Sequence, residues 1–222
     1  TLIQPLSSIK GLGDKAIDQI VLNRPFENIE EVLFGEDIVH SKLNKKALDV
    51  LCRSGAMDCL VDERFNGCKH FWMACIQDKP KNKKKLDENI ELYSPEEDFT
   101  REEKIEYVSN LTGMFPFDLV LTKQIRSAID RHMVPPLGNW DKSLGVAWFI
   151  PREVLQKTTK NGKPYWIVKV IDDTSTTTAI KYWGVKDDDQ IYLNRPYAAK
   201  LDHSADWGFS TRSVRHTFKL LG

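Results

Sequence analysis

The residues of this chain best suited to chemistry are Lys10-Gly11-Leu12-Gly13-Asp14-Lys15, and that chemistry is the holding of a phosphate. Glycine at both turn positions lets the main chain take positive φ and come close to another backbone. The turn leads into a helix start, where unpaired N–H groups and the helix dipole favour an anion. Lys10 and Lys15 flank it with positive charge. An ordinary glycine turn between two core helices is the other reading of the same residues, and the turn alone does not choose between them. A weaker second set consists of Lys45 and Lys46 at a basic helix start and Gly55 in Ser54-Gly55-Ala56-Met57, where Met57 replaces the second glycine. A third set lies downstream. Lys157, Lys160 and Lys163 surround Asn161-Gly162, and Tyr165, Lys169, Lys181 and Trp183 fall on one face of two following apolar runs. Rings for bases and ammonium groups for phosphates are what single-strand binding requires. Trp183 fits either that face or the core.

Groups for catalysis are not assembled in the same way. Asp172-Asp173 and Asp187-Asp188-Asp189 fall at turn signals and read as solvated turn carboxylates, and neither His132 nor His216 stands in a nucleophile motif. Cys52, Cys59, Cys68 and Cys75 show no C-x-x-C pair; their spacings of seven, nine and seven suggest buried free thiols on helices. A zinc site made from them with His70 is the lesser reading. The expectation is no metal, no cofactor and no catalysis in this chain.

Net charge is zero, which argues against nonspecific coating of nucleic acid, but the distribution is uneven. Residues 144–222 carry eight lysines and four arginines against seven aspartates and one glutamate, whereas residues 1–75 carry nine basic and eleven acidic groups. The C-terminal third is the better electrostatic candidate for a polyanion. No apolar run reaches the length of a membrane span and no basic-then-apolar leader is present, so a cytoplasmic protein without a membrane partner is expected.

The elements that must position these residues change character along the chain. Leu12, Ala16, Ile20 and Val21 recur at helical spacing until Pro25. A second helix is expected over Leu43 to Arg53 with Asn44 as N-cap, and a third through Phe65 to Cys75. Helix, glycine turn, helix therefore appears twice in residues 1–76, the pattern of tandem helix-hairpin-helix motifs. Residues 77–93 read as a mobile lysine-rich loop, residues 94–134 as connecting helices, and residues 135–143 as a linker. From Leu144 the period becomes two, with strands expected at Gly145–Pro151, Pro164–Asp172, Thr176–Val185, Tyr197–Asp202 and Val214–Leu221. Alternation assigns Trp166, Val168 and Val170 to the core. The fold class is α+β: a helical domain followed by a small five-stranded barrel of the oligonucleotide-binding (OB) type, an SH3-like barrel also fitting the count.

Three stretches resemble the region that follows the catalytic domains in the alpha subunit of bacterial-type DNA polymerase III. They are Leu6-Ser7-Ser8-Ile9-Lys10-Gly11-Leu12-Gly13 through Arg24-Pro25-Phe26, Leu43-Asn44-Lys45-Lys46-Ala47-Leu48 to Ser54-Gly55-Ala56-Met57-Asp58, and Lys157-Thr158-Thr159-Lys160-Asn161-Gly162-Lys163-Pro164 with the strand leading to Asp172. Glu102 to Pro116 also follows the family's connecting helix, with Met114-Phe115-Pro116 in place of the usual histidine-proline. The resemblance implies a non-catalytic fragment of a DNA-directed DNA polymerase, bacterial or phage-encoded, whose Mg²⁺-binding carboxylates lie upstream. It implies duplex DNA on the hairpins and single-stranded template on the barrel. Replisome proteins are further implied partners, but no convincing sliding-clamp peptide is present: Gln77-Asp78-Lys79-Pro80 lacks an apolar tail, and Gln4-Pro5-Leu6-Ser7-Ser8-Ile9 overlaps the hairpin. The alternative is a protein-interaction scaffold for which DNA contact is incidental.

Overall fold

The computed structural model describes residues 5–174, 176–212 and 218–221. Among them the chain forms two compact units, residues 1–116 and residues 117–222. The division falls at Pro116, not at the expected linker before Leu144. Gln4, His216 and the start of the fifth expected strand at Val214 lie outside the described residues.

The first unit is helical. A 3-10 turn at Leu6–Ser8 precedes α1 (Asp14–Asn23), α2 (Ile29–Phe34), α3 (Lys45–Arg53), α4 (Cys68–Trp72), α5 (Lys83–Leu92) and α6 (Arg101–Thr112). Apolar residues from every helix meet in one core, among them Leu12, Ala16, Ile29, Leu33, Leu48, Leu51, Phe71, Cys75 and Leu86. Side-chain caps fix the starts: Asn28, Asn44, Asn82 and Thr100 each accept an amide three residues on, and Thr100 with Glu103 completes a capping box. α4 runs into a π turn at Met73–Gln77. Its buried His70 accepts the Asn66 amide at Nδ1 and donates from Nε2 to Ile90 O, both at 2.9 Å, which ties α4 to α5. Arg53 lies between the Trp72 and Tyr107 rings, 4.9 and 4.6 Å from their centroids, and joins α3 to α4 and α6.

Two expectations for this unit are corrected. The lysine-rich stretch within 77–93 is not a mobile loop: α5 occupies Lys83–Leu92 with Leu86 and Asn89 fully buried. The Asn89 amide donates to Ala74 O at 3.0 Å and Asp78 O at 2.7 Å, satisfying carbonyls at the end of the π turn. A buried asparagine on the inner face kept the apolar stripe too thin to see. The thiols also divide: Cys52 and Cys75 are buried, and burial pushes both above the ordinary thiol range, but Cys59 is exposed and Cys68 half-buried. Among the described residues no three His, Cys, Asp or Glu side chains are grouped as a metal site.

The second unit opens with α7 (Phe117–Val120) and α8 (Lys123–Arg131), which the Thr122 cap separates. The sheet follows: β1 (Val146–Thr158), β2 (Pro164–Ile171), β3 (Thr177–Trp183), β4 (Tyr197–Lys200), β5 (Asp202–Ser204), β6 (Gly208–Arg212) and β7 (Phe218–Leu220). Their order is β5-β6-β3-β2-β1-β4-β7, with β3 and β6 parallel and the other pairs antiparallel. Among the described residues seven strands stand where five were expected. The fourth expected strand divides into β4 and β5 at the buried Leu201, β7 is the end of the fifth, and β6 was not anticipated. Only Leu201 separates β4 from β5, which stand near opposite ends of the strand order, so one extended run of chain joins the two ends and the sheet curls. β1 is long because it serves two neighbours, β4 through residues 146–149 and β2 through residues 150–158. Pro151 is tolerated beside the register shift between Pro151 and Glu153.

Residues 135–143 are part of this unit and not a linker. Leu137 is in the sheet's core, Pro135 O accepts the Trp148 amide at 2.9 Å, and Gly138 donates to Asp172 Oδ2 at 2.5 Å. Asp172 is fully buried and also accepts the Thr174 amide and hydroxyl and the Thr176 amide. The reading of Asp172 as a solvated carboxylate is therefore wrong: its four donors hold a turn against the segment that plugs the sheet. Arg126 of α8 reaches Asp118 at 3.1 Å and Asp173 at 3.7 Å.

Candidate nucleic-acid interfaces

In the first unit the Gly11-Leu12-Gly13 turn is anchored on both sides. Ile9 and Leu12 are buried, and the Lys10 amide donates to Leu111 O of α6 at 2.8 Å. Gly11 adopts φ +87°, where a side chain is strained, and its backbone packs near Val50 of α3. Gly13 differs: it is the N-cap of α1 with φ −85° and ψ 153°, and a Cβ there would meet nothing within 4 Å. The fold does not need glycine at position 13. What glycine provides there is an unshielded approach to the backbone. The Gly11 and Gly13 amides have no acceptor among the described residues, and the first amides of α1 are left open by helix geometry.

These groups line a cleft of about 480 Å³ with Asp14, Lys15, Ala16, Ser41, Lys42, Asn44, Lys46 and Ala47. Two helix N-termini, those of α1 and α3, thus border one cleft, and three lysines outnumber the single carboxylate of Asp14. Asn44 accepts the Ala47 amide at 3.0 Å, so the cap itself is occupied, and the Lys42 and Leu43 amides before it donate to Val39 O; the first amides of α3 are those that helix geometry leaves open. Lys42 and Ser41 were not singled out from the sequence. A basic residue just before an N-cap was the signal available.

The other members of the hairpin set do not join this cleft. Lys10 is exposed and does not line it. Lys45 donates to Gln77 O at 2.5 Å, on the side of the π turn. Gly55 is corrected outright. It adopts φ +81° just beyond the C-terminus of α3, its amide donates to Cys52 O and the Ala56 amide to Leu51 O, both at 3.0 Å. That is a Schellman closure, which commits the amides to the helix and presents the negative end of its dipole. Asp58, its pKa raised by burial, stands against Gly55 as well. The Gly55 and Ala56 amides are therefore not open to a phosphate.

In the second unit the sequence-predicted face is assembled. Pairing puts Lys157 opposite Tyr165, Tyr165 opposite Trp183, and Trp183 beside Arg212 of β6. The next row runs Leu155, Ile167, Lys181 and Ser210. Tyr165 and Trp183 are half-buried and stacked at 4.6 Å with 23° between their planes. Trp183 is thus on the outer face; Val168, Val170, Ile180 and Tyr182 fill the core, with Trp166 packed against it. Lys157, Lys160 and Lys163 are exposed around the β1–β2 hairpin, which the Thr159 amide to Lys163 O bond closes at 2.9 Å. Two lysines already have partners: Lys169 pairs with Glu153 at 2.7 Å, and Lys181 Nζ lies 4.5 Å over the ring of Trp207. Trp207, at 66% exposed, and Arg212 were missed. A tryptophan in the polar turn Asp206-Trp207-Gly208 was a legible signal, because nothing around it suggested a core.

None of the described helices is long and apolar enough to cross a membrane. No curated protein matches the chain. Residues 1–66 match the family model of the helix-hairpin-helix motif, the segment that contains the Gly11-Leu12-Gly13 cleft.

Proposed function

We propose that this chain is a non-catalytic DNA-binding region of a replicative DNA polymerase alpha subunit, of the bacterial DNA polymerase III kind. The hairpin cleft takes a phosphate of duplex DNA on the Gly11 and Gly13 amides and the α1 N-terminus, with Lys15, Lys42 and Lys46 as counter-charge. The sheet of the second unit takes single-stranded template on Tyr165, Trp183 and Trp207, with Lys157, Lys160, Lys163 and Lys181 on the backbone. The observation that carries the reading is Gly13, a glycine that the local fold does not require, with its amide unpaired at a lysine-lined cleft.

Module order supports the finer assignment: a helix-hairpin-helix segment precedes a curled sheet in which β1, β2 and β3 meander and β3 pairs in parallel with β6, as an OB-type barrel requires. In this role the chain positions DNA for nucleotidyl transfer done by other domains of the parent, where Mg²⁺ would be held. A second reading, a docking scaffold for replisome proteins, draws on the zero net charge and on Leu22 of α1, 77% exposed. Titration with a fluorescent primer-template at low and moderate salt separates the two. The DNA reading expects affinity that falls steeply with salt and drops with the Lys15→Ala/Lys42→Ala/Lys46→Ala variant. Salt-insensitive or absent binding returns the scaffold.

A further inference from the structure

A cleft of the second unit shares only Arg212 with the interfaces described above. It measures about 950 Å³ and lies where the sheet changes partners, lined by Lys200, Leu201 and Asp202 at the β4–β5 break and by Thr211 and Arg212 of β6. Trp140, Lys142, Leu144 and Gly145 from the segment before β1 and His203 from β5 complete it. Its electrostatics are one-sided: Lys142, Lys200 and Arg212 face a single carboxylate, Asp202, and neither lysine makes an ion pair among the described residues. Aromatic groups are present too. Trp140, His203 and Phe209 cluster with centroids 4.7 to 5.9 Å apart, and Trp140 Nε1–H is buried without an acceptor among the described residues.

Arg212 connects this cleft to the outer face, because it is both a wall of the cleft and the neighbour of Trp183 in the row Lys157, Tyr165, Trp183, Arg212. We infer that the cleft is a second backbone site for single-stranded nucleic acid: a strand stacked on Tyr165 and Trp183 continues past Arg212 and places a further phosphodiester among Lys142, Lys200 and Arg212. This rests on the single-strand reading of the outer face. The chemistry that selects the ligand is anionic, acceptor-rich oxygen next to a ring surface, which a phosphodiester strand presents at every step.

Strand length tests it. Oligo-dT of about five nucleotides fills the outer face alone, and oligo-dT of about twelve also reaches the cleft. For the full chain, the salt slope of log affinity is expected to be steeper for the longer strand. The Lys142→Ala/Lys200→Ala variant is expected to flatten the longer strand's slope by about 1.4, two phosphate contacts at about 0.7 each, and to leave the shorter strand's slope unchanged. Equal slopes for the two lengths, or a variant that leaves the longer strand's slope intact, overturn the cleft site while the outer face stands. Failure of both lengths to bind overturns the outer-face reading and this inference together.

Discussion

At the scale of single residues, three glycines separate structural need from ligand need. Gly11 needs positive φ, and Gly67 needs it as well: at φ +93° its hypothetical Cβ would lie 2.7 Å from Asp98 Cγ, and that carboxylate accepts the Lys69 amide and Lys104 Nζ, each at 2.7 Å. Gly13 needs neither space nor special dihedrals. Gly67→Ala is therefore expected to lower stability by about 2 kcal/mol or more, from backbone strain and displacement of Asp98, measured by chemical denaturation. Gly13→Ala should leave the denaturation midpoint within about 0.5 kcal/mol of the parent. Asp172→Ala leaves four donors without their acceptor in a buried turn, and a loss of about 3 kcal/mol is expected in the same assay. A change under about 1 kcal/mol at Asp172 would show that the turn does not depend on it.

Asp98 also sets a pH signature. Burial opposes its ionisation, but Lys104 and the Lys69 and Phe99 amides outweigh burial and hold its pKa below the ordinary value. A lowered folded-state pKa gives stability that is complete above the unfolded carboxylate range, about pH 4, and is lost as pH falls through the folded value. The stability difference between the parent and Asp98→Asn should accordingly be constant at neutral pH and shrink only below about pH 4. A gap that instead widened towards acid would contradict the Lys104 pairing.

At the scale of elements, the sequence showed strong periodicity well and weak periodicity badly. α1 and α3 match their expected runs because apolar spacing and stop signals agree there, joined in α3 by the Asn44 cap. α5 was hidden by lysines and by Asn89, a buried polar residue whose value comes from carbonyls that only the fold brings near. Gly55 illustrates a different limit: a glycine turn after a helix has the same composition whether its amides face outward or close a Schellman motif. The sheet was legible in β2 and β3, in the first half of β1 and in which face of β2 and β3 is core; the second half of β1, from Arg152 to Thr158, was read as loop. The break at Leu201 was not, since it depends on pairing between segments far apart in sequence. If α5 is an integral part of the first unit, Leu86→Ala should cost about 2 to 4 kcal/mol; a cost near zero, as for a mobile loop, would sink that placement.

At the scale of the molecule, the chain carries two candidate nucleic-acid interfaces on two compact units, with a net charge of zero. Local charge, not total charge, bears on a polyanion: three lysines outnumber the single carboxylate, Asp14, at the hairpin cleft, and Lys157, Lys160 and Lys163 are exposed around the β1–β2 hairpin. If each interface takes phosphates as proposed, binding weakens with salt at both, and a substrate with duplex and single-stranded parts that engages both binds more tightly than either part alone.

The most direct test is the binding of a primer-template by Gly13→Ala compared with the parent. A methyl at position 13 changes no contact within the protein but stands beside the amide that is to meet a phosphate. An unchanged unfolding midpoint is expected, with an affinity lowered about tenfold, which corresponds to about 1.4 kcal/mol. Unchanged affinity with unchanged stability would contradict the hairpin as a phosphate cradle and reduce it to a turn between two core helices.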